Sequence, residues 1–291
     1  MTLRPVLPVL ITIALSGAAL GAQAQFTLMA TVIDPASGQP PDTLVPADVR
    51  VAEDGVAATV TKVESVVRTV KVQVLIDNGG AVGRAISELR GGVRRLLEGL
   101  PADVEVTLVT TAPQPRFLVR ATKNREELLK GVDRIVPDSG TGRFTESLSE
   151  AAERANKEKD TFNVIITAGS TAGDGQILET DMNRALDRIR GKPMLVHVLL
   201  YYGERTSSGG VAQVEVGERA AQMTGGRYEF VNTMSRYTTL LPELGADVAK
   251  QVAGNTRQFR FSVRRPEGKK GDLGKVTVGI VSKIVTSVRH E

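Results

Sequence analysis

The segment VKVQVLIDNGGAVGRA, residues 70–85, places one carboxylate, Asp77, between an apolar run and a glycine-rich turn. In an α/β protein such a turn joins a buried strand to a helix, and ligands bind at the carboxyl ends of the strands. A carboxylate there could ligate a hard cation such as Mg²⁺, or it could accept backbone N–H groups and hold the turn. The chemistry of Asp77 therefore depends on which residues the other loops bring to it.

The glycines of this turn do not form a phosphate-binding motif. A P-loop needs Gly-x4-Gly-Lys-Ser/Thr and a dinucleotide site needs Gly-x-Gly-x-x-Gly, whereas the glycines here stand at positions 79, 80 and 83. Backbone N–H groups at a helix start can still bind an anion, so a small-anion or ligand-binding protein that uses the crevice at the strand ends remains an alternative.

Catalytic side chains in a usable arrangement are not found in the sequence. The chain has no cysteine, which excludes thiolate nucleophiles and disulfides. No serine lies in a Gly-x-Ser-x-Gly turn. His197 falls inside the apolar run MLVHVLLYY, where a buried, hydrogen-bonded ring is expected, and His290 is next to the end of the sequence. The sequence predicts a protein that is not an enzyme.

The first residues, MTLRPVLPVLITIALSGAALGAQAQF, combine one cation, an apolar run and a small-x-small site. This pattern predicts a secretory signal peptide over residues 1–24, with a membrane anchor as the alternative. No later stretch is long and apolar enough to span a bilayer. We therefore expect an exported protein, periplasmic or extracellular, without a membrane span after cleavage.

Charge and aromatic content argue against a nucleic-acid partner. The formal net charge of +4 arises from 37 basic and 33 acidic residues, a mixture typical of a solvated surface. Aromatic residues make up only 4% of the chain, so few side chains are available to stack on bases.

Two kinds of pattern divide the remaining chain into three segments. Residues 25–67 and 255–291 show β-type alternation, including a hairpin signal at Asp54-Gly55. Residues 68–254 alternate apolar strands with amphipathic helices, which predicts a doubly wound, mostly parallel sheet. Because isolated hairpins are marginally stable, we expect the two flanking segments to pair into one small β module.

One pair of strands in the α/β segment must be antiparallel. The predicted strands 103–111 and 115–122 are joined by a three-residue turn, which is too short for a parallel crossover. The other strands are separated by predicted helices over 81–98, 124–135, 144–158, 179–191, 214–226 and 235–254. The sheet is therefore predicted to be mixed, with one antiparallel hairpin at its edge.

This order of elements resembles the von Willebrand factor A (VWFA) domain over residues 68–254, a Rossmann-like fold. The phrases VQVLID, SGTGRFTESLSEAA, NVIITAGS and AAQMTGGRYEFV are similar to successive parts of that domain. The preceding segment TVIDPASGQPPDTLVPADVRVAEDG is similar to a bacterial exported subgroup of VWFA-related proteins. The resemblance implies a protein-binding module with a metal-ion-dependent adhesion site (MIDAS).

Placed on this sequence, the family's five metal-ligand positions fall on Asp77, Gly79, Ala81, Thr141 and Ala168. Three of these residues have no side-chain oxygen, and only one is anionic. A hard dication prefers about six oxygen ligands, so the site is predicted to be degenerate and without a bound metal or other cofactor. If any metal binds, weak Mg²⁺ binding through Asp77 and Thr141 is the expected form.

Two further residues could restore a ligand, namely Ser170 and Asp174 in the segment GSTAGDGQ. Residues of these types also belong in a polar turn for conformational reasons alone, and we favour that interpretation. For Asp77 we expect a bracing role, in which the carboxylate accepts backbone N–H groups of its turn, with the Thr141 hydroxyl as a further candidate donor across the loops.

The function predicted from these observations is protein–protein interaction without catalysis, as an adhesion or scaffold module of the cell envelope. The loops 79–84, 139–146 and 168–176 are the expected partner surface. A divalent-metal-dependent adhesion module with an unorthodox ligand set is the alternative.

Overall fold

The computed structural model of the protein describes residues 24–33, 40–172, 177–190, 192, 194–202, 208–255, 257–280 and 287–290. They form two compact units, one within Thr69–Val252 and one from the flanking segments Met1–Arg68 and Ala253–Glu291. The predicted signal peptide lies, apart from its last residue, outside the described residues. None of the helices in the described ranges has the length and apolarity that a membrane span needs.

The α/β unit contains six strands and six helices, and α6 runs slightly beyond its end. The strands are β4 (Thr69–Ile76), β5 (Glu105–Thr110), β6 (Arg116–Thr122), β7 (Thr161–Ser170), β8 (Met194–Tyr201) and β9 (Tyr228–Val231). The helices are α1 (Ile86–Gly99), α2 (Arg125–Asp133), α3 (Phe144–Asn156), α4 (Glu179–Ile189), α5 (Ser208–Thr224) and α6 (Tyr237–Asn255).

These strands form one sheet in the order β6-β5-β4-β7-β8-β9. All neighbours are parallel except β5 and β6, which pair antiparallel through the short turn that the sequence indicated. The predicted doubly wound, mostly parallel sheet with an antiparallel edge hairpin is confirmed. The reversal of strand order at β4 and β7 opens a crevice at their carboxyl ends, where Asp77 lies.

Helices cover both faces of the sheet, which explains the near-continuous apolar runs of the central strands. On one face, Val72 and Val74 of β4 pack in a core with residues of α1, α2 and α6. On the other face, Leu75 of β4 and Ile165 of β7 pack with residues of α3, α4 and α5. The alternation of side chains along β4 thus fixes its orientation between two hydrophobic layers.

The ends of several elements differ from the predictions. Helix α5 begins at Ser208, six residues before the predicted start. The prediction begins later because the residues of the run Ser-Gly-Gly have low helix propensity. Strand β7 continues to Ser170, two residues beyond the predicted end at Ala168. This second difference matters for the site because it brings Ser170 beside the end of β4.

The flanking segments form one antiparallel sheet, as expected. Its strands are β1 (Gln25–Ile33), β2 (Val49–Glu53), β3 (Val56–Val67), β10 (Arg257–Arg264), β11 (Val276–Ile280) and β12 (Ser287–His290). Their order is β11-β2-β3-β10-β1-β12, so C-terminal strands lie between and beside N-terminal ones. Asp54 and Gly55 both have positive φ, 50° and 81°, in the predicted hairpin turn between β2 and β3.

A buried ion pair accompanies the apolar core of the β unit. Arg265 donates to both carboxylate oxygens of Glu53, and the two side chains are 5% and 0% exposed. Arg265 also donates to the backbone oxygens of Gly271 and Asp272, and Gly274 donates its N–H to Glu53. The hydrogen bond to Arg265 lowers the pKa of the Glu53 carboxyl. The pair therefore fixes the connection between β10 and β11 onto β2.

Candidate functional site

Strands β4 and β7 place the predicted site residues at one edge of the sheet. Ile76 ends β4 and is in register with Ala168 of the parallel strand β7. The N–H of Asp77 then donates to the carbonyl oxygen of Ala168 at 2.8 Å, which extends the pairing by one residue. The side chain of Asp77 is thereby held between the loop that follows β4 and the end of β7.

Both carboxylate oxygens of Asp77 accept hydrogen bonds from the protein. Oδ1 accepts from the N–H of Gly79 at 2.8 Å. Oδ2 accepts from the N–H and the hydroxyl of Ser170 at 3.1 and 2.9 Å. Asp77 is only 5% exposed. Its carboxylate is therefore a buried link between two loops.

Burial raises the pKa of the Asp77 carboxyl above its ordinary value, because a charged group loses its hydration in the interior. The donors on Gly79 and Ser170 oppose this shift, since they favour the ionised form. The nearby Tyr237 hydroxyl, also fully buried, donates to the carbonyl oxygen of Gly169 at 2.5 Å. No cation contacts Asp77 among the described residues.

The loop 138–142 closes over Asp77 at very short range. A Cβ atom at Gly142 would stand 2.5 to 2.8 Å from the carboxylate atoms of Asp77. A Cβ at Gly79 would stand 2.7 Å from the backbone oxygen of Gly140 and 3.0 Å from the N–H nitrogen of Gly142. These distances are shorter than normal contacts. Glycine is thus required at both positions by the approach of the two loops.

The donors to Asp77 are Gly79 and Ser170, and the candidate donor Thr141 is not among them. Thr141 is exposed, and the buried residue that faces the carboxylate is its neighbour Gly142. The hydroxyl that reaches Asp77 belongs to Ser170, because β7 extends to that residue. Of the two further candidates, Ser170 is thus part of the site, whereas Asp174 lies outside the described residues.

The other family positions are placed as follows. Ala81 is exposed at the start of the turn that leads into α1. The Ala168 side chain is 1% exposed and lines a cavity of about 10 Å³ beside Asp77. Such a volume has room for at most one water molecule. The Ser147 hydroxyl also lines this cavity, is buried, and has no partner among the described residues.

The donor set at these positions does not fit the usual site for a divalent cation. Mg²⁺ requires about six oxygen ligands in octahedral geometry. Here Gly79, Ala81 and Ala168 have no side-chain oxygen, and both oxygens of Asp77 already accept hydrogen bonds. In the described part of the chain, no three His, Cys, Asp or Glu side chains are grouped as a metal site would need.

His197 occupies a different place, in the middle of β8 on the face that packs against α6. Its Nδ1 accepts the N–H of Arg227 at 3.0 Å, so the predicted buried and hydrogen-bonded ring is confirmed. Burial lowers the pKa of His197 to about 4. The ring is therefore neutral at pH 7. His290 ends β12 in the other unit.

The family comparison agrees with the geometry of the α/β unit. A family model described as von Willebrand factor type A domain matches residues 72–171, from β4 to the end of β7. No curated protein matches the chain.

Among the solved structures that are similar to this protein, two cover most of its chain. The von Willebrand factor type A protein from Catenulispora acidiphila has a TM-score of 0.53 at 12% identity, with 94% of this chain and 73% of that chain covered. The pilus adhesin SpaC from Lactobacillus rhamnosus GG has a TM-score of 0.53 at 10% identity, with 96% of this chain covered. The match covers 48% of the adhesin, so this chain spans about half of its length.

At these sequence identities the solved structures show the fold alone. The family model matches the segment from β4 to the end of β7, which includes Asp77. The α/β unit therefore has the fold of a von Willebrand factor type A domain and matches the model of that family over residues 72–171; such domains generally serve adhesion or protein interaction.

Proposed function

We propose that this protein is an exported, non-catalytic module that binds a protein partner without using a metal ion. The partner surface is formed by the loops at the carboxyl ends of the strands, residues 79–84 and 139–146, together with the start of the loop after β7. The protein acts in the periplasm or outside the cell, as the predicted signal peptide over residues 1–24 indicates.

The observation that carries this proposal is the state of Asp77. A metal-dependent adhesion site needs an accessible carboxylate that ligates a cation, and that cation binds a partner group. The Asp77 carboxylate is instead buried, and both its oxygens accept hydrogen bonds from Gly79 and Ser170. Its role is to hold two loops together. The loops can then present a fixed surface to a partner by shape and hydrogen bonding.

Two further observations support an interaction role. Among the described residues of the carboxyl edge, the buried titratable groups are Asp77 and Tyr237, and they are not grouped with a nucleophile and an oxyanion site. Exposed residues such as Ala81, Arg84, Ser139 and Thr141 surround this braced core of the loops. The similarity in fold to a pilus adhesin is consistent with an adhesion or scaffold role.

The metal-free part of the proposal is tested by titrating the purified protein with Mg²⁺ and Mn²⁺ while following the melting temperature. A ligand that binds the native state at 100 times its Kd stabilises it by about 2.7 kcal/mol. We expect the melting temperature to rise no more with these cations than with Na⁺ at the same ionic strength. A shift that Asp77→Ala abolishes would show a metal-dependent module with an unorthodox ligand set.

The interaction part is tested by photocrosslinking in the native cell envelope. A photoreactive amino acid is placed at Ala81 or at Thr141, both exposed at the carboxyl edge. The matched control position is Lys159, which is exposed just before β7 at the opposite edge of the sheet. We expect a protein adduct from the first two positions, unchanged by EDTA, and none from Lys159. Absence of any adduct from both loop positions contradicts the proposed function.

A further inference from the structure

We propose that the edge of the α/β sheet at strand β6 binds an acidic, extended segment of the protein partner. Three exposed arginines, Arg116, Arg120 and Arg143, receive the carboxylates, and the exposed ring of Phe117 receives an apolar side chain between them. We call these four residues together with Arg154 the arginine edge. This inference rests on the proposed interaction function and specifies the chemistry of the partner.

The first observation is an excess of positive charge without internal partners. Residues 113–123, PQPRFLVRATK, contain three cations and no acidic residue. Arg116, Arg120 and Arg143 are exposed, and none forms an ion pair within the described ranges. Arg143 donates to the backbone oxygen of Pro113 at 3.3 Å, which leaves its charge uncompensated. Within the arginine edge, only Arg154 has a carboxylate partner, Glu150 at 3.3 Å.

The second observation is the arrangement around Phe117. The guanidinium carbons of Arg120 and Arg154 lie 4.8 and 5.0 Å from the centroid of its ring. The ring is nevertheless 42% exposed. Arg154 is anchored because its Nε donates to Oε1 of the buried Gln73 at 3.1 Å. Stacking on an aromatic ring restricts a guanidinium, so less conformational entropy is lost when it binds a carboxylate.

The third observation is the position of the edge in the fold. Strand β6 is the last strand on its side of the described sheet, so no neighbouring strand covers it. Pro113, in the turn before β6, contacts Arg143 through its carbonyl oxygen and lies 2.6 Å from where a Cβ of Gly140 would be. The arginine edge is therefore continuous with the loop 139–146 that belongs to the proposed partner surface.

Charged side chains on an edge strand also discourage pairing between sheets. That role needs neither an exposed aromatic ring nor guanidinium groups stacked on it. Arginine and aromatic residues are enriched at the centres of protein interfaces, and the planar guanidinium matches the two oxygens of a carboxylate. A single ring offers little stacking for successive bases, so the chemistry favours a polypeptide with carboxylates over a nucleic acid.

The test uses the full-length protein labelled with ¹⁵N and three probes. The first is an octapeptide of alternating Glu and Val, the second is the same peptide with Gln in place of Glu, and the third is an eight-nucleotide thymidine oligomer. We expect the Glu peptide to shift amide resonances of residues 113–123 and of Arg143, with binding that weakens as salt rises. The Gln peptide should bind much more weakly.

The matched variants reverse charge at two places. Arg116→Glu combined with Arg120→Glu should weaken binding of the Glu peptide by about tenfold, because attraction is replaced by repulsion at two contacts. Lys250→Glu makes the same kind of change on α6, beside β8 and β9 at the other end of the sheet, and should leave binding within about twofold.

Three results would overturn the arginine edge as a carboxylate-binding surface. These are equal binding of the Gln peptide, no effect of the double reversal, and tighter binding of the oligonucleotide at the same residues. The double reversal is also introduced into the protein with a crosslinker at Ala81. If the partner adduct persists unchanged, the arginine edge is refuted while the proposed interaction function stands. If the unaltered protein gives no adduct, the interaction function itself fails.

Discussion

Replacement of Gly79 by serine tests whether the family's metal site can be restored in this backbone. Serine is the residue that the family resemblance implies at this position, so Gly79→Ser returns one missing ligand. The geometry opposes it, because the new Cβ would stand 2.7 Å from the Gly140 oxygen, 3.0 Å from the Gly142 nitrogen and 3.1 Å from Oδ1 of Asp77. Two of these three contacts are with backbone atoms, which cannot rotate away.

The expected cost follows from these contacts. Overpacking a closely packed site costs about 1–3 kcal/mol. Replacing glycine also lowers the conformational entropy of the unfolded chain, and this effect offsets roughly 0.5 kcal/mol of that destabilisation. We therefore expect Gly79→Ser to destabilise the α/β unit by about 1–2 kcal/mol, a loss that Mg²⁺ does not reverse. Ala81→Ser is the matched control in the same loop. Ala81 is exposed, so its replacement should stay within about 0.5 kcal/mol of the unaltered protein.

The assay is urea denaturation followed by tyrosine fluorescence. The chain has four tyrosines and no tryptophan, and all four tyrosines lie within the α/β unit, which makes the signal specific for it. The free energies of unfolding of the two variants are compared with and without Mg²⁺. If Gly79→Ser is as stable as Ala81→Ser, or if Mg²⁺ stabilises it, the loop 138–142 can move to accommodate the serine. The conclusion that this loop excludes a ligand at position 79 is then refuted.

Three other substitutions test single interactions. Because the pKa of His197 is about 4 in the native state and about 6.5 when unfolded, the unfolded state binds more protons between these values, and stability should fall by about 3 kcal/mol as the pH drops through that window. His197→Asn keeps an acceptor for the Arg227 N–H and should remove this dependence in tyrosine-detected urea curves, whereas an unaltered dependence contradicts the assignment. Arg265→Met leaves Glu53 buried without its partner and should cost the β unit about 3 kcal/mol, measured by hydrogen exchange of its strand amides; unchanged protection would show that the pair is not needed. Asp77→Asn leaves one buried backbone N–H without an acceptor, partly offset by removal of a buried charge, and should cost about 1 kcal/mol at pH 7 in EDTA. Equal stability of that variant would refute the bracing role.

The fold could be predicted from the sequence because its strands and helices carry strong periodic signals. The apolar run 70–76 is buried on both faces, and the short connection before β6, residues 111–115, permits only an antiparallel pair. The start of α5 was missed since local propensity disfavours Gly209 and Gly210 in a helix. Tertiary packing decides such boundaries, and a single sequence does not contain that information directly.

The site was predicted in part. The burial of Asp77 and its backbone contact with Gly79 follow from its place at the end of a buried strand. The candidate donor across the loops, Thr141, is not the residue that reaches Asp77, because residue spacing does not show whether Thr141 or Gly142 faces the carboxylate. The correct partner, Ser170, depends on two additional residues of strand pairing, which is the least predictable part of an element.

The register of the β unit has a consequence for how the chain folds. Val67, at the end of β3, pairs with Arg257, at the start of β10, so these two strands form a hairpin whose loop is the entire α/β unit. Closing such a long loop from the unfolded chain carries an entropic cost before any contact is gained. The α/β unit is contiguous in sequence and can form first, and it then brings Val67 and Arg257 close together. The strands of the β unit come from the segments before and after the α/β unit. We therefore expect the β unit to form last, and only after the α/β unit has folded.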